Sequence, residues 1–98
     1  MATIDIRRGH TLSVDEAKKR AEELARSMED KLGIRWSWES DYIRFNAPQG
    51  AAKGASGKVS VDGGSVRVEV DLPFLLRAIK GTIESKVNQK LDELLQAK

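Results

Sequence analysis

The stretch Val66 to Leu72 (VRVEVDL) carries the clearest secondary-structure pattern in the chain. An aliphatic residue alternates with a charged one throughout, which predicts a β-strand with one apolar and one polar face. A sheet made of such strands needs a second layer to cover its apolar face, while water can cover the other face. We therefore expect an antiparallel sheet that is covered on one side.

Four earlier segments alternate in the same way and predict four more strands: 3–7, 34–39, 42–46 and 58–61. Ser40 and Asp41 suit a hairpin turn between the second and third strands, and residues 62–64 (DGG) suit a turn before the last strand. Short connections of this kind favour an antiparallel meander, in which the first strand pairs beside the fifth. Residues 48–57 are rich in glycine and alanine without periodicity, and they predict a flexible loop.

The first helical pattern has a clear beginning and end. Ser13 can cap the free N–H groups of the first turn while Glu16, three residues later, completes a capping box. Apolar residues then recur at spacings of three and four from Val14 to Leu32, which predicts one apolar stripe. Gly33 is a typical residue for the end of such a helix.

The second helical pattern follows Pro73, which suits the first turn of a helix because its missing N–H costs nothing there. Its apolar stripe runs over residues 76–94, and we expect Phe74 and Leu75 to broaden that stripe at its start. The predicted order is β-α-β-β-β-β-α. This is an α+β fold with both helices packed on one face of the sheet, and the 98 residues form a single domain.

The composition excludes several kinds of site. The chain has no cysteine and one histidine, so it has no thiolate metal centre, and we do not expect a transition-metal site. The net charge is only +2, without the concentrated basic stripe that nucleic-acid binding needs. No apolar run approaches the ~20 residues of a transmembrane helix, and the first eight residues lack the apolar core of a secretory signal. We therefore expect a cytoplasmic protein that does not bind nucleic acid.

Two segments resemble the family of polyhydroxyalkanoic acid system proteins. They are residues 4–13 (IDIRRGHTLS), which lead into the capped helix, and residues 74–84 (FLLRAIKGTIE), at the start of the last helix. The resemblance implies a setting among bacterial genes that make and store polyhydroxyalkanoate, a hydrophobic polyester held in cytoplasmic granules. It brings no catalytic residues, because the molecular role of the family is not established.

The residues themselves predict no catalytic, metal or cofactor site. His10 lies in a turn without a second histidine or a cysteine, so we interpret it as a locally hydrogen-bonded turn residue. The serines include no G-x-S-x-G elbow, which argues against a polyester hydrolase. We therefore expect a protein that is not an enzyme.

Gly81 draws attention to the start of the second helix. It interrupts a good helical pattern at a cost of about 1 kcal/mol relative to alanine. It either packs closely against a bulky strand residue such as Trp36, or it forms a contact patch for a partner with Arg77 and Lys80. Packing is the simpler interpretation.

The polar face of the sheet supplies a second candidate contact, formed by Tyr42 and Arg44. Both residues lie on the outward parity of the third strand. A nucleic-acid contact on this face is disfavoured, because Glu69 and Asp71 share the outward parity of the last strand and would repel the phosphate groups. Mixed cross-strand ion pairs explain this face more simply than a binding surface does.

These observations favour a non-enzymatic accessory protein that binds another protein of the polyhydroxyalkanoate system. One alternative is a carrier that holds a small hydrophobic ligand, such as a hydroxyacyl chain, between helices and sheet in a pocket lined by Trp36, Trp38, Tyr42 and Phe45. Another is direct attachment to the granule, which requires a spare apolar face that both helices are expected to use for the core. The sequence does not specify an oligomeric state.

Overall fold

The protein folds as a five-stranded antiparallel sheet with two helices. The computed structural model describes residues 3–48, 50 and 53–95. The elements are β1 (Ile4–Gly9), α1 (Val14–Leu32), β2 (Arg35–Glu39), β3 (Tyr42–Asn46), β4 (Ser56–Val61), β5 (Ser65–Asp71), a 3₁₀ segment (Phe74–Ile79) and α2 (Lys80–Leu95). The strands lie in the order β1-β5-β4-β3-β2, and each neighbouring pair is antiparallel. The predicted order of elements and the pairing of the first strand with the fifth are confirmed.

The register divides the sheet into an apolar face and a polar face. Ile6 of β1 lies opposite Val68 of β5, and Val68 lies opposite Val59 of β4, so aliphatic side chains share one side. The buried residues of this face are Ile4, Ile6, Ile43, Phe45, Val59, Val61, Val66, Val68 and Val70. They form one core cluster with buried residues of both helices, Ala17, Ala21, Leu24, Ala25, Met28, Ile83, Val87, Leu91 and Leu94.

Trp36 and Trp38 show how α1 lies against the sheet. Both lie on the apolar face, because they are opposite buried residues of β3. Their indole N–H groups donate to the carboxylates of Glu29 and Glu22 on α1, at 2.8 and 3.0 Å. Each tryptophan is half-buried, so its ring contributes to the core while its polar edge reaches the helix surface.

Arg8 makes the corresponding contact with α2 at the opposite edge of the sheet. It lies opposite Val66 and therefore on the same apolar face. Its guanidinium donates to the side chains of Asn88 and Asp92 on α2. We infer from these contacts that both helices cover the face on which the apolar side chains lie.

The predicted cap residues at both ends of α1 are confirmed, but the reciprocal bond of the capping box is not observed, because the Glu16 carboxylate lies 3.2 Å from Arg20 instead. The Ser13 hydroxyl accepts from the Glu16 N–H at 3.1 Å, and Gly33 ends the helix in the left-handed region with φ 73°. Val14, however, is 41% exposed, so its assignment to the core stripe is wrong. The buried stripe begins one turn later, at Ala17.

The turn before β5 is stabilised by Asp62 rather than by glycine conformation. The Asp62 carboxylate accepts from the backbone N–H groups of Gly64 and Ser65, at 2.8 and 2.7 Å. The predicted turn is present, but neither Gly63 nor Gly64 has a positive φ, so this turn does not use the conformational freedom of glycine. The hydrogen bonds from Gly64, followed by those from Ser65, hold the pKa of Asp62 below its ordinary value.

Gly57 belongs to β4, although the sequence pattern assigned it to the loop 48–57. It lies opposite Phe45 in the sheet. A Cβ at this position would lie 2.0 Å from the carbonyl oxygen of Glu69 and 2.7 Å from the Phe45 ring. The sheet therefore needs glycine here, because another backbone and an aromatic ring occupy the side-chain space.

The remainder of the loop 48–57 is closed at its base by backbone hydrogen bonds. Ala47 N–H donates to Ala55 O and Gly54 N–H donates to Ala47 O, both at 2.8 Å. Residues 49, 51 and 52 lie outside the described part of the chain. The predicted flexibility of the loop stays a prediction.

Candidate functional site

The chain departs most from its sequence pattern just after Pro73. Phe74–Ile79 forms a 3₁₀ helix, and α2 begins only at Lys80. Phe74 and Leu75 are 81% and 85% exposed, so the prediction that they broaden the core stripe is wrong. A 3₁₀ helix has three residues per turn, and its side chains therefore point in directions that the pattern of an α-helix does not describe.

The 3₁₀ segment is held against the protein on both sides of its exposed residues. Leu72 is buried just before it, and the half-buried Leu76 packs against the core from within it. Leu76 N–H also donates to Pro73 O at 2.8 Å. The loop before β4 lies against Pro73, because a Cβ at Gly54 would come within 3.0 Å of the proline Cγ. The exposed side chains are therefore presented by an anchored turn.

The structure places Arg77, Lys80 and Gly81 beside these exposed residues. All three are exposed. A Cβ at Gly81 would meet no other heavy atom within 4 Å, so the interpretation that Gly81 packs against Trp36 is wrong. Ile79 is 37% exposed as well, although the predicted stripe over residues 76–94 included it. We use the name helix-start surface for the exposed residues of this region: Phe74, Leu75, Arg77, Ala78, Ile79, Lys80 and Gly81.

The phase of the apolar stripe is a sequence signal that points to the exposure of Phe74. The residues that reach the core from this part of the chain begin with Leu76 and continue with Ile83 and Val87. At 100° per residue, Phe74 lies about 200° from Leu76 around a helix axis. Phe74 and Leu76 therefore lie on opposite sides of the predicted helix.

Tyr42 and Arg44 lie on the polar face, where they line an open depression of about 480 Å³. The Lys58 ammonium lies 5.4 Å from the centre of the Tyr42 ring, within the range of a cation–π contact. Arg44 lies 3.6 Å from Glu39, and Lys58 lies 3.9 Å from Glu69. The cross-strand ion pairs expected from the sequence are therefore present. Because of them, the depression carries both positive and negative charges.

The strongest ion pair of the polar face joins β1 to β5. The Arg67 guanidinium donates two hydrogen bonds to the Asp5 carboxylate, at 2.7 and 3.0 Å. These hydrogen bonds hold the pKa of Asp5 below its ordinary value and raise the pKa of Arg67. Because the pKa of Asp5 is lower in the folded chain, the pair stabilises the fold above the unfolded pKa of the carboxyl group. That contribution is lost as the pH falls through the folded pKa.

The candidate contact residues from the sequence form two separate groups. Tyr42 and Arg44 share the depression with residues of β3, β4 and β5, and no residue of the 3₁₀ segment lines it. The other three candidates belong to the helix-start surface. Within the described part of the chain, the structure does not join the two groups in one site.

His10 has a structural role in the turn between β1 and α1. Its Nδ1 accepts from Leu12 N–H at 3.1 Å, and its Nε2 lies 3.0 Å from Asp62 O. A neutral ring with its proton on Nε2 satisfies both contacts. Among residues 3–48, 50 and 53–95, no group of three histidine or acidic side chains is placed to hold a metal ion.

Two cavities beside the core are small, one between the two helices and one between the helices and the sheet. One, lined by Met28 and Val87 among others, has a volume of about 20 Å³, and another, beside Phe45 and Ile83, has about 10 Å³. Volumes of this size hold about one water molecule. Neither cavity has room for a hydroxyacyl chain.

Across the described residues, the fold is a small α+β arrangement with a hydrophobic core cluster and an exposed apolar turn at Phe74 and Leu75. A family model for polyhydroxyalkanoic acid system proteins matches residues 4–95, which is most of the chain. The chain belongs to this family, and it is therefore a protein associated with the polyhydroxyalkanoate system. No curated protein and no solved structure gives a significant match. Within the described residues, neither helix is long and apolar enough to span a membrane.

Proposed function

We propose that this protein is a non-enzymatic accessory protein of polyhydroxyalkanoate storage, and that it binds another granule protein through the helix-start surface. One observation carries the proposal: Phe74 and Leu75 are 81% and 85% exposed on an anchored turn. Burying such a side chain is worth about 1.5–3 kcal/mol relative to leaving it exposed. A protein partner that covers both residues would therefore gain substantial binding free energy.

The surroundings of these residues favour a protein partner over the polymer itself. Arg77 and Lys80 flank the apolar pair with positive charge, which resembles the apolar centre and polar rim of a protein interface. A helix that lies on a hydrophobic surface needs an apolar stripe along its length. The stripe of α2 is buried in the core instead, from Ile83 to Leu94.

The anchoring of the turn also supports a binding role. Leu72 and Leu76 hold the 3₁₀ segment from the core side, so the exposed pair is presented in a fixed arrangement. A surface that is already ordered loses less conformational entropy when it binds. The carrier alternative lacks comparable support, because the two cavities beside the core of the described residues have volumes of only about 20 and 10 Å³.

Affinity purification of the tagged protein from polymer-accumulating cells tests the proposal. The soluble and granule fractions are kept apart, and bound proteins are identified by mass spectrometry. We expect a polymer synthase, a phasin or a regulator to copurify with the unchanged protein. The double variant Phe74→Ser, Leu75→Ser should lower its recovery at least about tenfold, since each lost burial is worth more than the 1.4 kcal/mol of a tenfold change.

Val14→Ser provides the matched control, because Val14 is also an exposed aliphatic residue but lies at the start of α1. Recovery of the same partner with this control and its loss with the double variant would support the proposal. The proposal is wrong if the double variant retains the partner, or if the folded bait is recovered without a granule protein. Binding to granules stripped of protein, unchanged by addition of the partner, would instead show direct attachment to the polymer.

A further inference from the structure

We propose that β2 pairs with β2 of a second copy of this chain, so that two five-stranded sheets join into one continuous antiparallel sheet. This inference concerns a surface other than the helix-start surface and does not rest on the proposed function. It follows from the position of β2 in the sheet, the direction of its free backbone groups and the order of its side chains.

β2 is available for pairing because it is the last strand of the sheet. On one side it pairs with β3 over its whole length, from Arg35 to Glu39, and its other side pairs with no described strand. The strand contains no proline or glycine, and its register with β3 is regular throughout. Proline and β-bulges are two features with which natural edge strands prevent further pairing, and β2 has neither of them.

The free backbone groups of this edge belong to Trp36 and Trp38. Ser40 and Asp41 form a two-residue turn, so Glu39 and Tyr42 are the hydrogen-bonded pair that closes the hairpin. Hydrogen-bonded and non-hydrogen-bonded pairs alternate along an antiparallel ladder. The N–H and C=O groups of the two tryptophans therefore point away from β3, towards the open edge.

The sequence of β2, Arg35-Trp36-Ser37-Trp38-Glu39, is complementary to itself when it is read in the opposite direction. An antiparallel pairing centred on Ser37 places Arg35 opposite Glu39 of the second copy, and Glu39 opposite its Arg35. Trp36 then lies opposite Trp38 of the second copy. The two tryptophan pairs carry the outward backbone groups, so each pair can exchange both of its hydrogen bonds. This register aligns backbone, aromatic rings and charges at once.

The side chains that would meet the second copy have unfilled contacts within one copy. Arg35 is exposed and forms no ion pair with any residue in the described ranges. It lines an open depression of about 460 Å³ together with Glu29 and Trp36. Glu39 lies 3.6 Å from Arg44, a longer contact than an ideal charged hydrogen bond. A second copy supplies Arg35 with the carboxylate that its own chain does not.

The opposite edge strand is engaged differently. On β1, Asp5 is held by two hydrogen bonds from Arg67, and Arg8 is held by Asn88 and Asp92 of α2. Two of the three charged residues of β1, Asp5 and Arg8, are therefore already paired within the chain. This difference assigns the pairing to β2.

Sedimentation velocity of the purified full chain tests the inference. We expect the average mass to rise from 10.9 kDa towards twice that value as the concentration increases. Arg35→Glu should raise the dissociation constant at least about tenfold, because two-fold symmetry repeats the like-charge contact on both sides of the interface. Arg7→Glu makes the same change of charge on β1 and should leave the dissociation constant unchanged.

A mixing experiment separates loss of pairing from loss of folding. Arg35→Glu leaves two carboxylates along the edge and Glu39→Arg leaves two guanidinium groups, so each variant should be monomeric alone. An equal mixture of the two should form a dimer, because every charged position then meets its opposite. A misfolded variant could not regain pairing in this way.

The inference is overturned if the unchanged chain remains at 10.9 kDa up to about 1 mM, a range that covers weak dimers. It is also overturned if Arg7→Glu weakens the dimer as much as Arg35→Glu, or if the two charge variants fail to associate when they are mixed.

Discussion

The two helices of this protein begin in different ways, although both follow a strand of the same sheet. α1 begins at Val14, directly after its N-cap Ser13, whose hydroxyl accepts a backbone hydrogen bond, and its buried residues all lie on one side. The chain after β5 passes through Pro73, which makes no side-chain cap hydrogen bond, and forms a 3₁₀ segment before α2. One turn after the Ser13 cap, Ala17 is buried in the core, whereas Phe74 and Leu75 face water.

This difference teaches how a helix start decides the use of nearby apolar residues. A capping side chain defines the first turn and so the phase of every later residue. Pro73 sets only its own φ, at −62°, and is compatible with a 3₁₀ turn as well as with an α-helical one. Apolar residues that follow a proline, such as Phe74 and Leu75, can therefore lie on the surface although their residue types are typical of the core.

The largest expected effect compares a buried leucine of α1 with an exposed leucine of the 3₁₀ segment. Leu24 is fully buried and Leu75 is 85% exposed. Leu24→Ala should lower the free energy of unfolding by about 2–5 kcal/mol, because it removes core contacts and leaves a cavity. Leu75→Ala should change it by no more than about 0.5 kcal/mol. Urea denaturation of both variants measures the difference, and equal losses would show that Leu75 is buried.

The cap of α1 should produce the next largest effect. Ser13→Ala removes the acceptor for the Glu16 N–H and should cost about 1 kcal/mol of stability. Ser13→Asp keeps a side-chain acceptor at this position and should be close to neutral. Thermal unfolding of the two variants compares them directly. Similar losses in both would mean that the cap does not set the start of α1.

Gly81 offers a change of opposite sign. Gly81→Ala should raise the free energy of unfolding by about 0.5–1 kcal/mol, because alanine favours the helical conformation that Gly81 adopts as the second residue of α2, and the added methyl group meets no neighbour. Ala78→Gly is the reverse change at an exposed neighbour on the 3₁₀ segment, and it should not stabilise the protein. A destabilised Gly81→Ala variant would restore the packing interpretation.

Phe74→Ser should have the smallest effect on stability. With a side chain that is 81% exposed, the substitution removes little buried surface, and we expect a change within about 0.5 kcal/mol in urea denaturation. Phe45→Ser, at a buried position in β3, serves as the contrasting variant and should unfold much more readily. A large loss from Phe74→Ser would mean that the 3₁₀ segment folds onto the core.

Local patterns were sufficient to predict most of the architecture. Alternation identified every strand, the cap and Gly33 identified α1, and short connections implied the meander. The pairing of β1 with β5 followed from the expectation that every two neighbouring strands of the sheet run antiparallel. These inferences depend on residues close together in sequence, which is why they were accessible.

The features that escaped prediction depend on residues that meet only in the folded chain. Gly57 was assigned to a loop because its need for glycine comes from Phe45 and from the Glu69 carbonyl, which approach it across the sheet. The candidate residues Arg77, Lys80 and Gly81 were named from a helical irregularity. The exposed Phe74 and Leu75 beside them were missed, because they were assigned to the apolar stripe for their position next to it and not for their phase around the helix axis.

The pairing of β1 with β5 has a consequence for the protein as it leaves the ribosome. Asp5 and its partner Arg67 are 62 positions apart in the chain. At ordinary rates of translation, the first strand therefore waits roughly 3–12 s for its neighbour to be synthesised. During that interval Ile4 and Ile6 have no sheet to join, while the β2–β3 hairpin can already form behind them. We therefore expect β1 to remain unpaired until β5 emerges, and a delay before β5 would prolong the exposure of its apolar residues.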